Sequence, residues 1–508
     1  LENARSALAN ATYQTGPLVA TFHLTPVAAE KEKLLHETSG RFVGEVTVPL
    51  LEAELLTMQG RNADAVARLQ GAVKAKPEQI DIYRKLGDLL MDSGNYAEAA
   101  KVYRQYPGLN APDADRLVVD NYAYEKGSLF FWRGETDVAR EFFKISAAQN
   151  TGSAAGMTSA ARNACLDGDY GRAAEQHLNA AQRYGASYRY RDFFSLLHML
   201  GESTPAWDGF QALAGRFTTP HLWDSVLVGH QRDGRDAAWI MDWAKQPALQ
   251  QGGRALPLTR RYLTMAMVTD RIPDKRAIKA VDTMLQPDMP YRTLYSHFME
   301  AYAALKQKDF ELAYRNLSEA GARERLIDDA NTFALPYLAI AAARTGKSAE
   351  VDALLAAIPE EKRKMDFWLS RSALDAVSGK SEAAAEFRRA IDTRVFTEGR
   401  PLAAEYQIAD VAEMLFDLTG DAEFKALALH VARFNQKIQP WEGWAYAQEA
   451  VLTSDAAARQ SAIIKARYLD RNSERLKRLP KNALDEADKA LKKSPPFRIN
   501  RRQATQGI

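Results

Sequence analysis

The residue types that most often perform acid–base chemistry or bind metals show no catalytic arrangement in this sequence. No two of the eight histidines form a helical pair at metal-ligand spacing, so zinc chemistry of the HExxH type is absent. The GxSxG, P-loop and GxGxxG motifs are absent as well. The sequence therefore predicts a non-enzymatic protein without cofactor or metal. The histidines are His23, His36, His177, His198, His221, His230, His297 and His430.

Cys165 is the only cysteine among 508 residues. A single cysteine excludes a disulfide within the chain and a zinc site built from several cysteines. It lies in the stretch RNACLDGDY, at the end of a predicted helix, with no identified base beside it. We therefore expect a buried structural thiol rather than a nucleophile.

Carboxylates and aromatic rings are concentrated between positions 184 and 243, and they support an alternative function. A glycosidase needs two carboxylates about 5 to 10 Å apart across a cleft, but no spacing here singles out a pair. The rings form either a core or an exposed platform for a partner or a sugar. The alternative is an α-helical carbohydrate-active enzyme or a glycan-binding module. The carboxylates are Glu202, Asp208, Asp224, Asp233, Asp236 and Asp242, and the aromatic residues are Tyr184, Tyr188, Tyr190, Phe193, Phe194, Trp207, Phe210, Trp223, Trp239 and Trp243.

The bulk composition limits the classes of protein that remain. A chain of 508 residues is longer than one compact core can support, so it has several domains or is a repeat array. Its 67 basic and 65 acidic residues leave a net charge of +2, which does not indicate a nucleic-acid binder. No run approaches 18 apolar residues, so no transmembrane helix is expected.

An internal repeat organises the chain from residue 46 onward. The stretch LEAELLTMQGRNADAVARLQ, from residue 51, returns as KLGDLLMDSGNYAEAAKVYR, from residue 85. A glycine suits the end of the first helix of each unit, because it tolerates the left-handed backbone conformation. An alanine suits the point where the second helix crosses the first. The paired positions are Gly60 with Gly94, Ala65 with Ala99, and Leu69 with Tyr103.

Further units follow with looser spacing, and together they resemble the tetratricopeptide repeat family over roughly residues 46 to 470. The resemblance is closest over 46–184, looser over 294–391 and weak over 185–290. A 34-residue period is typical of this helix-turn-helix family. The residues in equivalent positions are Gly127, Gly134, Ala139, Phe143, Ala161, Gly168, Tyr170, Ala173, Ala180, Ala301, Phe310, Ala313, Leu317, Ala320, Ala339, Gly346, Leu355, Gly379 and Ala384.

The resemblance implies an all-α fold, a right-handed superhelical solenoid of about ten to twelve helix pairs. It also implies a scaffold that binds a protein or peptide partner in a groove and performs no chemistry. An open array is expected, and a closed α/α toroid is the alternative. No long stretch alternates as a strand would, which agrees with the all-α prediction.

The same pattern predicts five segments. Residues 1–45 form an N-terminal cap, in which PLVATFHLTP is expected to be extended and KEKLLHETSG to be a helix that ends at Gly40. Regular repeats follow over 46–184 and degenerate, aromatic-rich helical repeats over 185–290. Further repeats occupy 291–470, and a basic C-terminal helix and tail occupy 471–508.

The resemblance also predicts where a partner binds. In this family the first helix of each unit lines the concave side, so its outward residues on successive units form one surface. Tyrosine and arginine are common among binding hot spots. The alternative for these positions is an ordinary solvated helix face. Asp88 would repel a carboxylate, so a clamp for acidic C-terminal peptides is not expected. The predicted binding residues are Tyr124, Arg162, Tyr188, Arg191 and His198.

Two further expectations concern the ends of the chain. The basic residues near the C-terminus form a solvated tail or dock on an acidic partner or an anionic membrane surface. The start at Leu1, without Met, fits removal of a signal peptide or a start within a longer protein. With the single cysteine, it favours a periplasmic or cell-envelope location over the cytoplasm. The basic residues are Lys489, Lys492, Lys493, Arg498, Arg501 and Arg502.

Overall fold

The computed structural model describes residues 1–11, 14–109, 116–185, 187–214, 221–234, 292–318, 332–394 and 406–497. Within these ranges the chain forms 25 α-helices and no strand, so the all-α prediction is confirmed. Within these ranges, helices that follow one another in sequence pack as pairs, in the manner of a solenoid. Several residues considered above lie outside the description: Asp236, Trp239, Asp242, Trp243, Ala320, Arg498, Arg501, Arg502, and the side chains of His221, Trp223 and Asp224.

Two compact units divide the chain, Leu1–Lys126 and Gly127–Ile508, and the division falls inside helix α8. The five predicted segments follow the repeat pattern instead and stay a prediction. The helices that begin in the first unit are α1 (Glu2–Asn10), α2 (Gly16–Leu24), α3 (Ala28–Ser39), α4 (Thr47–Met58), α5 (Asn62–Ala75), α6 (Ile80–Asp92), α7 (Tyr96–Arg104) and α8 (Arg116–Arg133).

The N-terminal stretch PLVATFHLTP is helical, so the extended structure expected for it was wrong. Pro17 stands in the first turn of α2, where a proline has no intrahelical donor to lose. Leu18, Thr21 and Phe22 are buried at helical spacing, which satisfies one face of a helix. Leu18 and Phe22 join a core with residues of α1, α3 and α4. Tertiary packing outweighed the β-branched composition of the stretch.

The repeat register is confirmed in detail. Gly60 and Gly94 follow the first helices of their units with φ of +74° and +76°. Ala65 and Ala99 are fully buried where the helices cross. Inside α6, Gly87 allows an equally close approach, because a Cβ there would lie 2.1 Å from Tyr103 Cε1. Small residues therefore set the distance between the paired helices, as the spacing predicted.

The second unit continues with paired helices. Gly134, Gly168, Gly346, Gly379 and Gly420 stand at its turns with φ between +73° and +96°. The helices are α9 (Thr136–Gln149), α10 (Ala154–Leu166), α11 (Tyr170–Tyr184), α12 (Ser187–Leu200), α13 (Ser203–Ala214), α14 (His221–Asp233), α15 (Arg292–Lys306), α16 (Phe310–Ser318), α17 (Leu335–Arg344), α18 (Ser348–Ala356), α19 (Met365–Val377), α20 (Ala383–Asp392), α21 (Tyr406–Thr419), α22 (Ala422–Ile438), α23 (Gly443–Leu452), α24 (Ala456–Leu469) and α25 (Lys481–Lys493).

A buried ionic network connects α15, α17, α21 and α23 to the short 3₁₀ helix Arg475–Arg478. Arg475 donates from Nη2 to Asp410 Oδ1 over 3.1 Å and from Nε to Glu413 Oε2 over 2.9 Å. All three side chains are at most 2% exposed. These two carboxylates also accept hydrogen bonds from Lys306, Tyr302, Tyr337, Gln448 and Arg478.

Other contacts within the second unit join residues that are far apart in sequence. Arg133 Nη1 donates to Asp392 Oδ1 over 2.9 Å, and Asn472 Nδ2 donates to the Gly234 carbonyl over 2.7 Å. A repeat array in which each unit contacts only its neighbours has no such pairs. The spacing of the repeat does not predict them.

Across the described residues, no helix is both long and apolar enough to cross a membrane. In the same part of the chain, no three histidine, cysteine, aspartate or glutamate side chains lie where they could share a metal ion.

Candidate binding surface

The row of predicted binding residues in the second unit begins on α10. Ser153 caps this helix, and its hydroxyl accepts a hydrogen bond from the Gly156 amide over 2.8 Å. Thr158 and Arg162 are four positions apart on α10, so they lie on one face of the helix. The next first helix, α12, carries Tyr188 and Arg191.

Arg162 connects two neighbouring repeats. Its Nη1 donates to Ser128 Oγ, 34 residues earlier, over 2.7 Å. Its guanidinium lies 5.1 Å from the ring centre of Phe131 and 5.3 Å from that of Phe143. Cation–π contacts of this kind hold an arginine in one orientation. Arg162 therefore helps to build the surface, in addition to any contact with a partner.

Arg189 performs the same task one repeat later, and the sequence reasoning missed it. Its Nε donates to Thr158 Oγ1 over 3.4 Å, and its guanidinium lies 4.8 Å from the Tyr188 ring and 5.6 Å from the Tyr184 ring. The side chain is buried. Arg189 follows Thr158 by nearly one repeat, as Arg162 follows Ser128 by one repeat, and this spacing was the signal that could have identified it.

Tyr188 and Arg191 lie at the edge of this arrangement. Tyr188 is half-buried under Arg189. Arg191 donates from Nε to Asp192 Oδ1 over 2.7 Å, and its side chain is 21% exposed. Tyr184, which ends α11, is 41% exposed. Two tyrosines and one arginine therefore border the helices that Arg162 and Arg189 connect.

His198 lies in the interior, 1% exposed, rather than on this surface. Its ring packs edge-on against Trp207 with centroids 5.0 Å apart, and its Nδ1 lies 3.4 Å from Ser203 Oγ. Burial, with a smaller effect of Arg232, lowers the pKa of His198 to about 3. His198 lies near the end of α12 on the side that faces the interior, so it is a neutral core residue. It is not part of the proposed surface.

Tyr124 belongs to the first unit and is described there. It is half-buried on α8, two positions before Lys126. Lys126 is 1% exposed and donates from Nζ to Asp88 Oδ1 over 2.9 Å. Asp88 also accepts a hydrogen bond from the Tyr103 hydroxyl. Asp88, which was expected to repel the carboxylate of a bound peptide, thus connects helices within this unit.

Cys165 is a buried thiol, as expected. Burial raises its pKa well above the usual range, so the thiolate needed for nucleophilic chemistry is disfavoured. Burial also lowers the pKa of His177 to about 4, and its Nδ1 lies 4.0 Å from Asp192 Oδ2. Both the neutral imidazole and the protonated thiol therefore contribute to packing.

The described part of the aromatic-rich region forms a core at three of the positions predicted for one, and the fourth, Trp243, lies outside the described residues. Phe193, Phe194 and Phe210 are at most 7% exposed. Trp207 is half-buried, between the rings of His198 and His230. These described rings do not form an exposed platform for a sugar.

Comparison with known proteins agrees with this geometry at the level of the repeat. A family model described as tetratricopeptide repeat matches residues 56–117. No curated protein matches the chain. The human IFIT1 dimer with m7Gppp-AAAA is a solved structure with 14% identity, covering 84% of this chain and 96% of that chain, with a TM-score of 0.26. The P58(IPK) TPR domain has 15% identity, covering 89% and 99%, with a TM-score of 0.19.

Both TM-scores are below 0.5, so the fold assignment rests on the helices and on the family match. That match begins within α4 and ends within α8, and it includes Gly60, Ala65, Gly94 and Ala99. These are the positions from which the resemblance was predicted. Residues 56–117 therefore match the tetratricopeptide repeat, and the described residues form an all-α array of paired helices.

Proposed function

We propose that the chain is a non-enzymatic scaffold that binds a protein or peptide partner on the edge formed by Tyr184, Tyr188 and Arg191. Helical repeat proteins of the tetratricopeptide type are typical interaction scaffolds. The observation that carries the proposal is the pair of arginines, Arg162 and Arg189, which connect first helices of successive repeats. Side chains along this edge are thus presented on a rigid support.

The chemistry of the edge suits a partner with an acidic group next to apolar side chains. Arg191 is partly exposed and its bond to Asp192 can be exchanged for a bond to a partner carboxylate. The tyrosine rings offer apolar area at low cost in side-chain entropy. Tyr124 is proposed as a separate contact on the first unit. A place in a bacterial envelope assembly remains a proposal from the sequence.

The test is co-purification with the intact chain, followed by variants of the edge. The double variant Tyr188→Ala with Arg191→Ala should lose the specific co-purifying protein while its helical circular dichroism stays unchanged. Arg388→Ala is the matched control, since Arg388 is an exposed, singly paired arginine of the same unit. Retention of the partner by the folded double variant would refute the proposal.

A second variant tests the basic C-terminal helix. Lys489, Lys492 and Lys493 lie on α25, and all three are changed to alanine together. The edge proposal predicts that this variant keeps the partner. Loss of the partner here, with retention by the edge variant, would assign binding to the basic helix instead.

A further inference from the structure

The segment that follows α25 ends in a buried aromatic residue. α25 stops at Lys493, and Ser494 is extended, with φ of −158° and ψ of 117°. Pro495 is exposed, Pro496 is half-buried, and Phe497 is 4% exposed. A short proline-containing segment without regular secondary structure therefore brings one ring into the protein interior.

Three tyrosines from three helices surround that ring, and we call them the tyrosine cage. The Phe497 centroid lies 5.9 Å from Tyr170 on α11, 6.3 Å from Tyr446 on α23 and 5.9 Å from Tyr468 on α24. The interplanar angles of 53° to 76° are those of edge and tilted packing. Aromatic pairs at these distances favour such geometry.

The walls of the cage are held by residues other than Phe497. The Arg232 guanidinium lies 5.2 Å from the Tyr468 ring, and its Nη2 donates to the Tyr468 hydroxyl over 3.4 Å. Lys465 Nζ lies 5.4 Å from the Tyr446 ring. Tyr446 is itself 2% exposed in the core of α23. The cage should therefore keep its shape when the ring of Phe497 is absent.

Contacts of α25 attach the helix that precedes the segment. Ala487 is the buried residue of α25, and Arg467 pairs with Asp488 of that helix through two hydrogen bonds of 3.1 and 3.0 Å. Among residues 494–497, which the structure describes beyond α25, Phe497 is the buried one. Because these four residues belong to no helix, the segment can leave the cage without unfolding the helices beneath it.

We propose that the tyrosine cage is a recognition site for a Pro-Pro-aromatic segment of a partner protein, and that the chain's own Pro495–Phe497 occupies it in competition. Aromatic-lined grooves bind proline-rich segments because proline pre-orders the extended backbone and lowers the entropic cost. The tethered segment has a high effective concentration at the cage. The cage shares no residue with the edge of Tyr188 and Arg191, so the two proposals stand independently.

The test uses a fluorescein-labelled peptide with the sequence KKSPPF and the full chain, followed by fluorescence polarisation. Phe497→Ala should bind the peptide at least about tenfold more tightly than the unaltered chain. Apparent affinity is reduced by the fraction of protein whose site is free, and a tenfold gain corresponds to a cage about nine-tenths occupied. The control peptide KKSPPA should not bind either protein.

A second pair of variants separates the cage from general effects on folding. Tyr170→Leu added to Phe497→Ala should abolish peptide binding, with the thermal melt of the single variant retained. Pro495→Gly with Pro496→Gly loosens the segment and leaves Phe497 and the cage intact, so it should give an affinity between those of the unaltered chain and Phe497→Ala.

The proposal has two parts, recognition by the cage and competition by the segment, and each can be refuted separately. Equal peptide affinity for the unaltered chain and Phe497→Ala would show that the segment does not compete. Absence of peptide binding to a folded Phe497→Ala would show that the cage is not a recognition site. If Phe497→Ala does not fold, an unchanged affinity in the double glycine variant would overturn the competition.

Discussion

The paired helices α4–α7 of the first unit and the helices around Asp410 in the second unit are held together in different ways. In α4–α7, small residues such as Gly87 and Ala99 let apolar side chains meet within one repeat. Around Asp410, charged side chains such as Arg475 and Lys306 pair with carboxylates that are 62 to 104 residues away in the sequence. The first kind of packing follows from spacing in the sequence, while the second depends on which distant helices meet.

The two kinds of packing also differ in how much free energy the loss of one side chain costs. A small residue at a crossing costs little to bury, whereas a buried charge is stable only while every partner is present. We therefore expect the ionic network to be the more fragile of the two regions when a single side chain is changed. The four predictions below test that contrast.

The largest effect is expected for Arg475→Met. Removal of its guanidinium leaves Asp410 and Glu413 with fewer partners in a buried site, and such losses cost about 3–5 kcal/mol of unfolding free energy. Urea unfolding followed by tryptophan fluorescence measures the change. The matched control is Arg478→Met, because Arg478 contacts Glu413 but is 37% exposed. An Arg475→Met midpoint equal to that of the control would contradict the prediction.

Acid should destabilise the second unit more than the first. Burial lowers the pKa of His177 to about 4 and of His198 to about 3, so both stay neutral in the folded chain while the unfolded chain binds protons below about pH 6.5. The second unit's stability should be constant above that pH. It should fall between about pH 6.5 and 4, by about 2 kcal/mol per histidine at pH 5.

The first unit provides the internal comparison for this prediction. Its two histidines, His23 and His36, are exposed. Hydrogen exchange at pH 7 and pH 5 should show loss of protection in α11 and α12 before α4–α7. His198→Gln should reduce the pH dependence, and equal acid sensitivity of both helix groups would count against the assignment.

Gly87→Ala tests the close contact in the first unit. The added methyl group would overlap the Tyr103 ring, because a Cβ at Gly87 lies 2.1 Å from Cε1, and overpacking of this kind costs about 1–3 kcal/mol. A similar cost is expected for Ala99→Leu. Gly71→Ala on α5 is the control, since nothing lies within 4 Å of its Cβ position, and it should stabilise by about 0.5–1 kcal/mol. Thermal melts that rank the two glycine variants in the opposite order would refute the register.

The smallest effect is expected at Lys308. It is the one non-glycine residue with positive φ, 60°, in the described part of the chain, and it stands in a turn where other repeats have glycine. Lys308→Gly should raise stability by about 1 kcal/mol by relieving the left-handed strain. Gly346→Ala, at φ of +73° with nothing within 4 Å, should lose a similar amount. A melting temperature lowered by Lys308→Gly would show that its side chain contributes more than the strain costs.

The sequence by itself determined the features that depend on residues within one period. Gly60, Gly94, Ala65 and Ala99 stand at fixed positions of a helix pair, so their spacing was enough to locate turns, crossings and the all-α fold. The short-range physics of helix ends and helix contacts is the same in every repeat. The family match over residues 56–117 falls on these same features.

Only the tertiary structure decided which helix faces are covered and by what. His198 has the spacing of a surface residue, yet its ring is buried beside Trp207. The stretch from Pro17 to Leu24 became a helix because neighbouring helices buried one of its faces. Phe497 reaches Tyr170 although many helices separate the two along the chain. Which distant residues meet depends on the packing angles of all the helices between them. A spacing that repeats within each helix pair does not specify those angles.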